Sequence, residues 1–290
     1  MITLLSDFGY RDAYVAMMKG VIASLSGATA TCDLTHDIEP QDILAARFNL
    51  MMAYSHFSVG TVHLAVVDPG VGSGRRAIAL KCPCGFFVGP DNGIFSGVLQ
   101  QEPVLAAVAL TNPDYWRVPN PSHTFHGRDI FAPAAAHLAN GVAIANLGTR
   151  IDPNTLVQAN LPFYTPISPP LSGLPSASHG TSYSGCIQYI DRFGNLISNL
   201  PGHLIEGHPR PDSQSLVWQV SLELPAVGKN LSLIGIEAYY QVPVGALAAL
   251  IGSHGWIEIA CNGGSAAEAL AIANLAAAKN IRVQLCITLA

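Results

Sequence analysis

The feature that most constrains the fold is an alternation of strand-like and helix-like segments over residues 1 to about 160. Apolar runs of strand length, such as Met1–Leu5 and Thr61–Val67, alternate with segments whose apolar residues recur at helical spacing, such as Asp12–Leu25 and Pro40–Ser55. This alternation predicts an α/β domain, a Rossmann-like three-layer arrangement around a mostly parallel sheet. No Walker lysine motif is present, and no Gly-x-Gly-x-x-Gly follows the first strand, so neither common nucleotide fingerprint is found.

The character of the sequence changes after residue 162. Residues 163–184 are rich in Pro, Ser and Gly and predict a connector. Short apolar runs separated by turn residues then predict a smaller all-β, barrel-like domain over residues 185–290. Within it, the alanine-rich stretch Ala266–Ala278 is typical of a packed helix. We therefore divide the chain into an α/β domain over residues 1–162, the connector, and the β domain.

Composition argues against several kinds of partner. The net charge is −5 and there is no run of Lys and Arg, which argues against nucleic-acid binding. The apolar stretches are broken well short of the roughly 20 residues that a membrane-spanning helix needs. No signal-peptide pattern is visible, so a cytoplasmic location is expected. Of the six cysteines, only Cys82 and Cys84 are close in sequence, with only His63 nearby, so no metal site is predicted.

Polar residues stand where the apolar runs end. Asp68 follows the run that ends at Val67, begins a loop rich in Gly and Pro, and precedes Arg75 by seven residues. In an open α/β sheet, the loops beyond the carboxyl ends of the strands bind ligands. Asp68 and an arginine are therefore candidates for a charge-paired reactive site, with a surface salt bridge as the alternative. The sequence leaves open whether Arg75 or Arg76 is the partner.

Two further clusters contain Asp7 and His126. Asp7 lies in the motif Ser6-Asp7-Phe8-Gly9 directly after the first strand, where a carboxylate can bind a diol such as ribose or cap a helix. His126 lies in Phe125-His126-Gly127-Arg128-Asp129, and a histidine with an ordinary pKa near neutrality can orient or deprotonate water. His123 is a rival for that role.

The predicted β domain has polar turns of its own. They are Asp191-Arg192-Phe193-Gly194-Asn195, Ser253-His254-Gly255 and Ala260-Cys261-Asn262-Gly263. Each by itself is typical of an ordinary hairpin. Together with Gly89-Pro90-Asp91-Asn92-Gly93, they give an unusual density of polar loops in so apolar a chain.

In this order, the clusters resemble the family of S-adenosyl-L-methionine hydroxide adenosyltransferases, which are relatives of fluorinating and chlorinating enzymes. The similarity extends from residue 6 to about residue 264. It implies a two-domain subunit, with an α/β domain followed by a barrel-like domain. It also implies a homotrimer with active sites between subunits. The implied activity is hydrolysis of S-adenosyl-L-methionine to adenosine and L-methionine, with that compound as the substrate and no cofactor.

The resemblance also implies roles for individual residues. Asp68, Arg75 and His126 resemble the catalytic triad that positions and activates water, and Asp7 resembles the residue that binds the ribose hydroxyls. Substrate-binding roles are implied for four residues of the second domain: Asp191, Asn195, Ser253 and Asn262. Asp191 and Ser253 resemble contacts to the methionine portion. Asn195 and Asn262 resemble contacts around the adenine or ribose.

The triad also separates a hydrolase from a halogenase. The fluorinating relatives carry Tyr in place of Asp68 and a Tyr-Ser pair in place of His126-Gly127, and they carry an aromatic residue in place of Gln41. A carboxylate beside a halide would repel it, whereas an acid, an arginine and a histidine suit water. Water is then expected to attack ribose C5′ opposite the sulfonium, with either Asp68 or His126 taking the proton. The alternatives are a non-catalytic module that binds the compound or adenosine, a halogenase, or an enzyme acting on another nucleoside.

Overall fold

The computed structural model describes residues 1–167, 181–207, 216–224, 229–278 and 280–289. The chain divides into two compact units, Met1–Asn160 and Leu161–Ala290. Residues 168–180, which make up most of the predicted connector, lie outside the described residues.

The first unit contains a seven-stranded sheet in the order β2-β1-β3-β5-β4-β6-β7. Strands β2, β1, β3 and β5 pair in parallel, and the pairs β5-β4, β4-β6 and β6-β7 are antiparallel. The strands are β1 Ile2–Ser6, β2 Thr31–Thr35, β3 Thr61–Val66, β4 Ala77–Cys82, β5 Gly85–Pro90, β6 Ala106–Ala109 and β7 Thr149–Arg150. The α-helices are α1 Tyr14–Ser26, α2 Ile43–Ala53, α3 Ser96–Leu99 and α4 Ala132–Ala139. The predicted α/β class with a mostly parallel sheet is confirmed.

The core of this unit explains why the alternating pattern folds in this way. Every residue of β3 is buried, as expected for a central strand of a parallel sheet covered on both faces. Helix α1 buries Val15, Met18 and Ile22, whose spacing places them on one helical stripe. Met18 and Ile22 of that stripe pack into one apolar cluster with residues of β1, β3 and α4. The carboxyl ends of β1 and β3 are therefore supported by a closely packed core.

The second unit is a closed β-barrel of seven strands, which confirms the barrel-like prediction. The sheet order is β10-β14-β13-β12-β11-β15-β9-β8. Pairing of β10 with β9 closes the first seven of these strands into the barrel, and β8 is an additional strand paired with β9. Among the described strand pairs of this second unit, only β12–β13 is parallel. The strands are β8 Thr165–Ile167, β9 Thr181–Ile190, β10 Leu196–Pro201, β11 Leu216–Leu224, β12 Lys229–Ile236, β13 Leu247–Ile251, β14 Trp256–Cys261 and β15 Arg282–Leu289. The α-helices are α5 His203–Glu206, α6 Ala266–Ala269 and α7 Leu275–Ala278.

One predicted helix of this unit was wrong. The stretch Ala266–Ala278 forms the two short helices α6 and α7 instead of one continuous helix. Ala271, between them, has a φ of 55°, in the left-handed region that a continuing right-handed helix does not use. Strand β8 and the start of β9 also fall within the range taken as connector.

No helix in the described part of the chain combines the length and the apolar character that crossing a bilayer requires.

Candidate active site

A cavity of about 390 Å³ opens at the carboxyl ends of β1 and β3 in the first unit. Its wall contains three residues singled out from the sequence, Asp7, Asp68 and His126. The volume is within the range of roughly 300–1,000 Å³ that is common for small-molecule sites. The position, beyond the carboxyl ends of parallel strands, is where this sheet type binds ligands.

Arg75 joins Asp68 to His126. Its Nε donates to Oδ1 of Asp68 at 2.8 Å, and its Nη2 donates to Oδ2 of the same carboxylate. Nη2 also lies 2.8 Å from Nδ1 of His126. The side chains of Arg75 and Asp68 are only 10% and 6% exposed, and the guanidinium lies 5.2 Å from the ring centroid of Phe131. Arg75 is absent from the cavity wall, so it holds Asp68 and His126 from behind.

These contacts determine the tautomer of His126. A guanidinium has donors and no acceptor, so Nδ1 of His126 must accept the hydrogen bond from Arg75. The proton of the neutral ring is then on Nε2. Burial lowers the pKa of His126 below its ordinary value of 6.5, and the charge of Arg75 lowers it further. His126 is therefore neutral at pH 7 and offers Nε2–H to a ligand, while its basic nitrogen is already engaged.

The loop that begins at Asp68 lies directly against the loop that carries His126. Gly72 has a φ of 75°, and a Cβ at this position would lie 2.3 Å from the carbonyl oxygen of His123. Only glycine allows this approach without a backbone shift. At the other end of the loop, Nδ2 of Asn92 donates to the carbonyl oxygen of Val67 at 2.8 Å. Arg75 and His126, which are 51 positions apart in sequence, are thereby brought into one cluster.

His126 is followed by a π-helical turn, Gly127–Phe131. Such turns are rare and are frequent at functional sites. Asp129 within it is completely buried, accepts two hydrogen bonds from Arg128 at 2.7 Å each, and accepts one from the backbone of Ser122 at 2.9 Å. The Arg128 and Asp129 side chains therefore stabilise the loop rather than line the cavity.

The structure decides between the two adjacent arginines as partners of Asp68. Arg76 donates to Oδ2 of Asp91 at 2.7 Å and has no contact with Asp68. His123, the rival of His126, is exposed and does not line the cavity.

Asp7 lines the cavity beside Gln41. Oδ2 of Asp7 accepts a hydrogen bond from the backbone N–H of Gln41 at 2.8 Å. Gln41 has a φ of 68°, which is uncommon for a residue other than glycine and is found mainly at turns and functional sites. The remaining lone pairs of the carboxylate are available to a ligand.

The four residues singled out in the second unit lie on three turns. Asp191 and Asn195 are together, because Oδ1 of Asp191 accepts from the backbone of Phe193 and of Asn195 at 2.9 Å each, and Oδ2 accepts from Nδ2 of Asn195. These bonds are those of an ordinary Asx-type turn. Ser253 is exposed, and Nδ2 of Asn262 donates to the carbonyl oxygen of Val242 at 2.7 Å.

Sequence reasoning missed two features of the first unit. The first is an aromatic wall in which Phe8, Tyr14 and Phe125 stand 5.1 to 5.7 Å apart by ring centroids. The second is a buried cluster around His36 and Asp33 at the carboxyl end of β2. The signal for the second was present, because Asp33-Leu34-Thr35-His36 is a polar motif at the end of a strand.

The fold and the site together define a two-domain enzyme, with a small-molecule cleft at the sheet of an α/β domain and a β-barrel domain after it. The family model of the SAM hydroxide adenosyltransferase N-terminal domain matches residues 2–148, and that of the C-terminal domain matches residues 185–277. The chain belongs to the S-adenosyl-L-methionine hydroxide adenosyltransferase family.

Individual relatives agree with this assignment. The (R)-S-adenosyl-L-methionine hydrolase of Salinispora tropica is 37% identical over 93% of this chain and 94% of its own length. A fluorinase from an Actinoplanes species is more distant, at 26% identity over 69% of this chain and 71% of its own. The crystal structure of an uncharacterised conserved protein from Thermotoga maritima superposes with a TM-score of 0.82 at 30% identity, covering 99% of this chain and 100% of that one.

Proposed function

We propose that the protein hydrolyses S-adenosyl-L-methionine to adenosine and L-methionine. The observation that carries the proposal is the cluster in which Arg75 holds Asp68 and His126 at the wall of the cavity. Family membership and the name of the Salinispora tropica relative support the same activity.

The reaction balances without a cofactor. The water oxygen forms a bond to ribose C5′, the C5′–sulfur bond breaks with its electron pair remaining on sulfur, and one proton is released. The thioether of methionine leaves as a neutral group, so no general acid is needed. Catalysis then rests on holding water in line with the C5′–sulfur bond.

The tautomer of His126 supports one assignment of the roles. Its Nδ1 lone pair is engaged by Arg75, so His126 donates Nε2–H to the attacking water and does not take the proton. Asp68 is the remaining base in the cluster and accepts it. Arg75 is a positioning residue, because it acts through these two side chains.

Asp68 also argues for water over halide as the nucleophile. A carboxylate within about 4 Å of a chloride or fluoride would cost on the order of 4 kcal/mol at an effective dielectric constant near 20. The same carboxylate favours water, whose proton it can accept.

The experiment supplies each epimer at sulfur of S-adenosyl-L-methionine in H₂¹⁸O and separates the products by chromatography. We expect equal amounts of adenosine and methionine, ¹⁸O at O5′ of adenosine, and faster turnover of the (R) epimer, which the name of the relative specifies. Chloride and fluoride are added in parallel, and Asp68→Asn serves as the inactive control. A 5′-halogenated nucleoside, or binding without product, would contradict hydrolysis.

We further propose a homotrimer in which Asp191, Asn195, Ser253 and Asn262 complete a neighbouring subunit's site. The resemblance in sequence supports this arrangement, and so does the exposure of large apolar side chains on the second unit, such as Tyr240 and Val244 at 83% each. Mixing an Asp68→Asn variant with a Ser253→Asp variant tests it, because shared sites would restore part of the activity. Sedimentation at the monomer mass would contradict the trimer. The cytoplasmic location stays a prediction.

A further inference from the structure

A buried cluster at the carboxyl ends of β1 and β2 takes no part in the mechanism above. Its centre is His36, which is completely buried together with Ser6. Nδ1 of His36 lies 2.6 Å from Oγ of Ser6, and Nε2 lies 3.3 Å from Oδ1 of Asp33. Nε2 of His36 and Oδ1 of Asp33 are both buried, and neither has a hydrogen-bond partner among the described residues, so each meets the other only as a close electrostatic contact. A buried polar chain of this kind needs an explanation.

Which group donates and which accepts in this buried cluster follows from the protons that each group carries. Burial lowers the pKa of His36, so the ring is neutral and carries one proton. A carboxylate only accepts, so the proton is on Nε2 and faces Asp33. Nδ1 is then the acceptor, and the hydroxyl of Ser6 donates to it. The spatial order Ser6, His36, Asp33 resembles a nucleophile and its base. The Ser6 hydroxyl, however, is completely buried and does not line the cavity, so it cannot reach a substrate.

The buried cluster holds the two backbone segments that border Asp7. Oγ of Ser6 accepts from the backbone of Phe8 at 3.3 Å, and the carbonyl oxygen of His36 accepts from the backbone of Gly9 at 2.8 Å. His36 also begins the loop that leads to Gln41, whose strained backbone donates to Asp7. Asp7 is thus fixed from both sides.

Asp33, the outermost member of the buried cluster, is anchored by two side chains nearer the surface. Asp33 accepts hydrogen bonds from Nζ of Lys19 at 2.7 Å and from the hydroxyl of Tyr10 at 2.9 Å. Burial raises the pKa of Asp33, but the hydrogen bonds from Lys19 and Tyr10, together with the nearby His36 ring, outweigh it and hold that pKa below its ordinary value. Asp33 is therefore an anion facing the His36 ring, which fixes the direction of the chain at neutral pH.

We propose that Ser6, His36 and Asp33 are positioning residues that set the carboxylate of Asp7 for recognition of the two ribose hydroxyls of the substrate. The proposal rests on the proposed function, in which Asp7 binds the ribose. It predicts that substitutions in the buried cluster reduce the discrimination between nucleosides with and without these hydroxyls.

The same strand provides a matched control. Thr3 and His63 form a second buried hydroxyl–imidazole pair, with Oγ1 2.8 Å from Nδ1, and neither residue lines the cavity. Thr3→Val and Ser6→Ala each remove one buried hydroxyl from β1 and leave one histidine nitrogen without its partner. Only Ser6→Ala does so beside Asp7.

The experiment measures, by calorimetry on the full chain, the ratio of the dissociation constants of 2′,3′-dideoxyadenosine and adenosine. We expect Ser6→Ala to reduce this ratio by about tenfold, the value of one hydrogen bond to a charged group. Asp33→Asn, at a position whose side chain is 22% exposed, should reduce it about threefold. Thr3→Val should leave it unchanged, and in turnover assays Ser6→Ala should raise KM more than it lowers kcat.

The outcomes separate this inference from the function on which it rests. If Asp7→Asn leaves the ratio unchanged, the assignment of Asp7 to the ribose fails, and the inference fails with it. If Asp7→Asn abolishes discrimination while Ser6→Ala and Asp33→Asn keep it, the positioning chain alone is overturned. An equal loss in Thr3→Val would also overturn it, since the effect would then be one of general stability.

Discussion

Arg75 and Arg76 are neighbours with the same side chain, yet they serve different parts of the first unit. Arg75 binds Asp68 and His126 behind the cavity wall, whereas Arg76 donates to Asp91 at 2.7 Å. Both directly precede β4, and successive side chains of extended backbone leave on opposite sides. The direction of the side chain, and not the residue type, therefore separates the arginine that joins Asp68 to His126 from the arginine that binds Asp91.

The contacts of Arg76 are those of a clamp. Asp91 is 3% exposed, and its Oδ1 accepts from the backbone of Val157 at 2.9 Å. Arg76 also donates from Nη1 to Oγ1 of Thr155 at 2.9 Å. The pair ties the segment around residues 155–157 to the end of β5, and neither member lines the cavity. Two buried or half-buried ion pairs thus stand side by side, one serving the cleft and one serving the fold.

The largest expected effect is on turnover after removal of Arg75. Arg75→Ala should lower kcat for adenosine release by about 10²- to 10³-fold, because Asp68 and His126 lose the group that orients both. Arg76→Ala should keep kcat within about threefold. Rates are measured at saturating substrate per mole of folded protein, with circular dichroism as the check on folding. Equal losses in the two variants would break the comparison.

The sequence predicted much of this site and left one choice open. The strand-end position of Asp68 and the motif around His126 could be found without a structure, because strand ends of α/β sheets are where ligands bind. The choice between Arg75 and Arg76 could not, since it depends on which side of the chain each guanidinium leaves. The motif Asp33-Leu34-Thr35-His36 was visible in the sequence, but the contact of His36 with Ser6 was not, because it forms only when β1 and β2 pair.

The fold shows the same limit. Strand β3 was predicted because it is continuously apolar, but β10 was not, since it includes Ser198 and Asn199. Both are buried. Oγ of Ser198 donates to the carbonyl oxygen of Ile257 on β14 at 2.7 Å, and Oδ1 of Asn199 accepts from the backbone of Cys186 on β9 at 2.8 Å. A strand whose buried polar groups are paired through tertiary contacts carries no apolar pattern to read.

The next effect is on stability and tests the clamp. Asp91→Ala should lower the free energy of unfolding by about 2 kcal/mol, because Arg76 and the backbone of Val157 lose their partner. The loss is smaller than for a fully buried pair, because the Arg76 side chain is 32% exposed and water can replace the carboxylate. Urea unfolding measures the loss, and kcat well below the midpoint should match the parent protein. A variant of unchanged stability but low kcat would place Asp91 in the catalytic cluster instead.

A more modest effect is expected when the charge is kept and the shape is changed. Arg75→Lys should lower kcat by about tenfold, because an ammonium cannot span Asp68 and His126 as the guanidinium fork does. Arg76→Lys should leave kcat unchanged, and its stability loss should be below that of Asp91→Ala. Full activity in Arg75→Lys would show that charge alone positions the cluster.

The smallest effect is a shift in pH dependence, and it isolates the contact between Arg75 and His126. Burial and then the charge of Arg75 lower the pKa of His126, so the ring stays neutral as the pH falls below 6.5. Once the pH drops through the lowered pKa, Nδ1 gains a proton and can no longer accept from Arg75, so kcat/KM should fall on the acid side. Arg75→Gln removes one of the causes of the lowered pKa, the largest after burial, so the acid limb of its residual activity should move to higher pH. Arg76→Gln should leave the limb in place, since Arg76 is not among the groups that shift His126. An acid limb that does not move in Arg75→Gln would mean that the ionisation seen in kcat/KM belongs to a group other than His126.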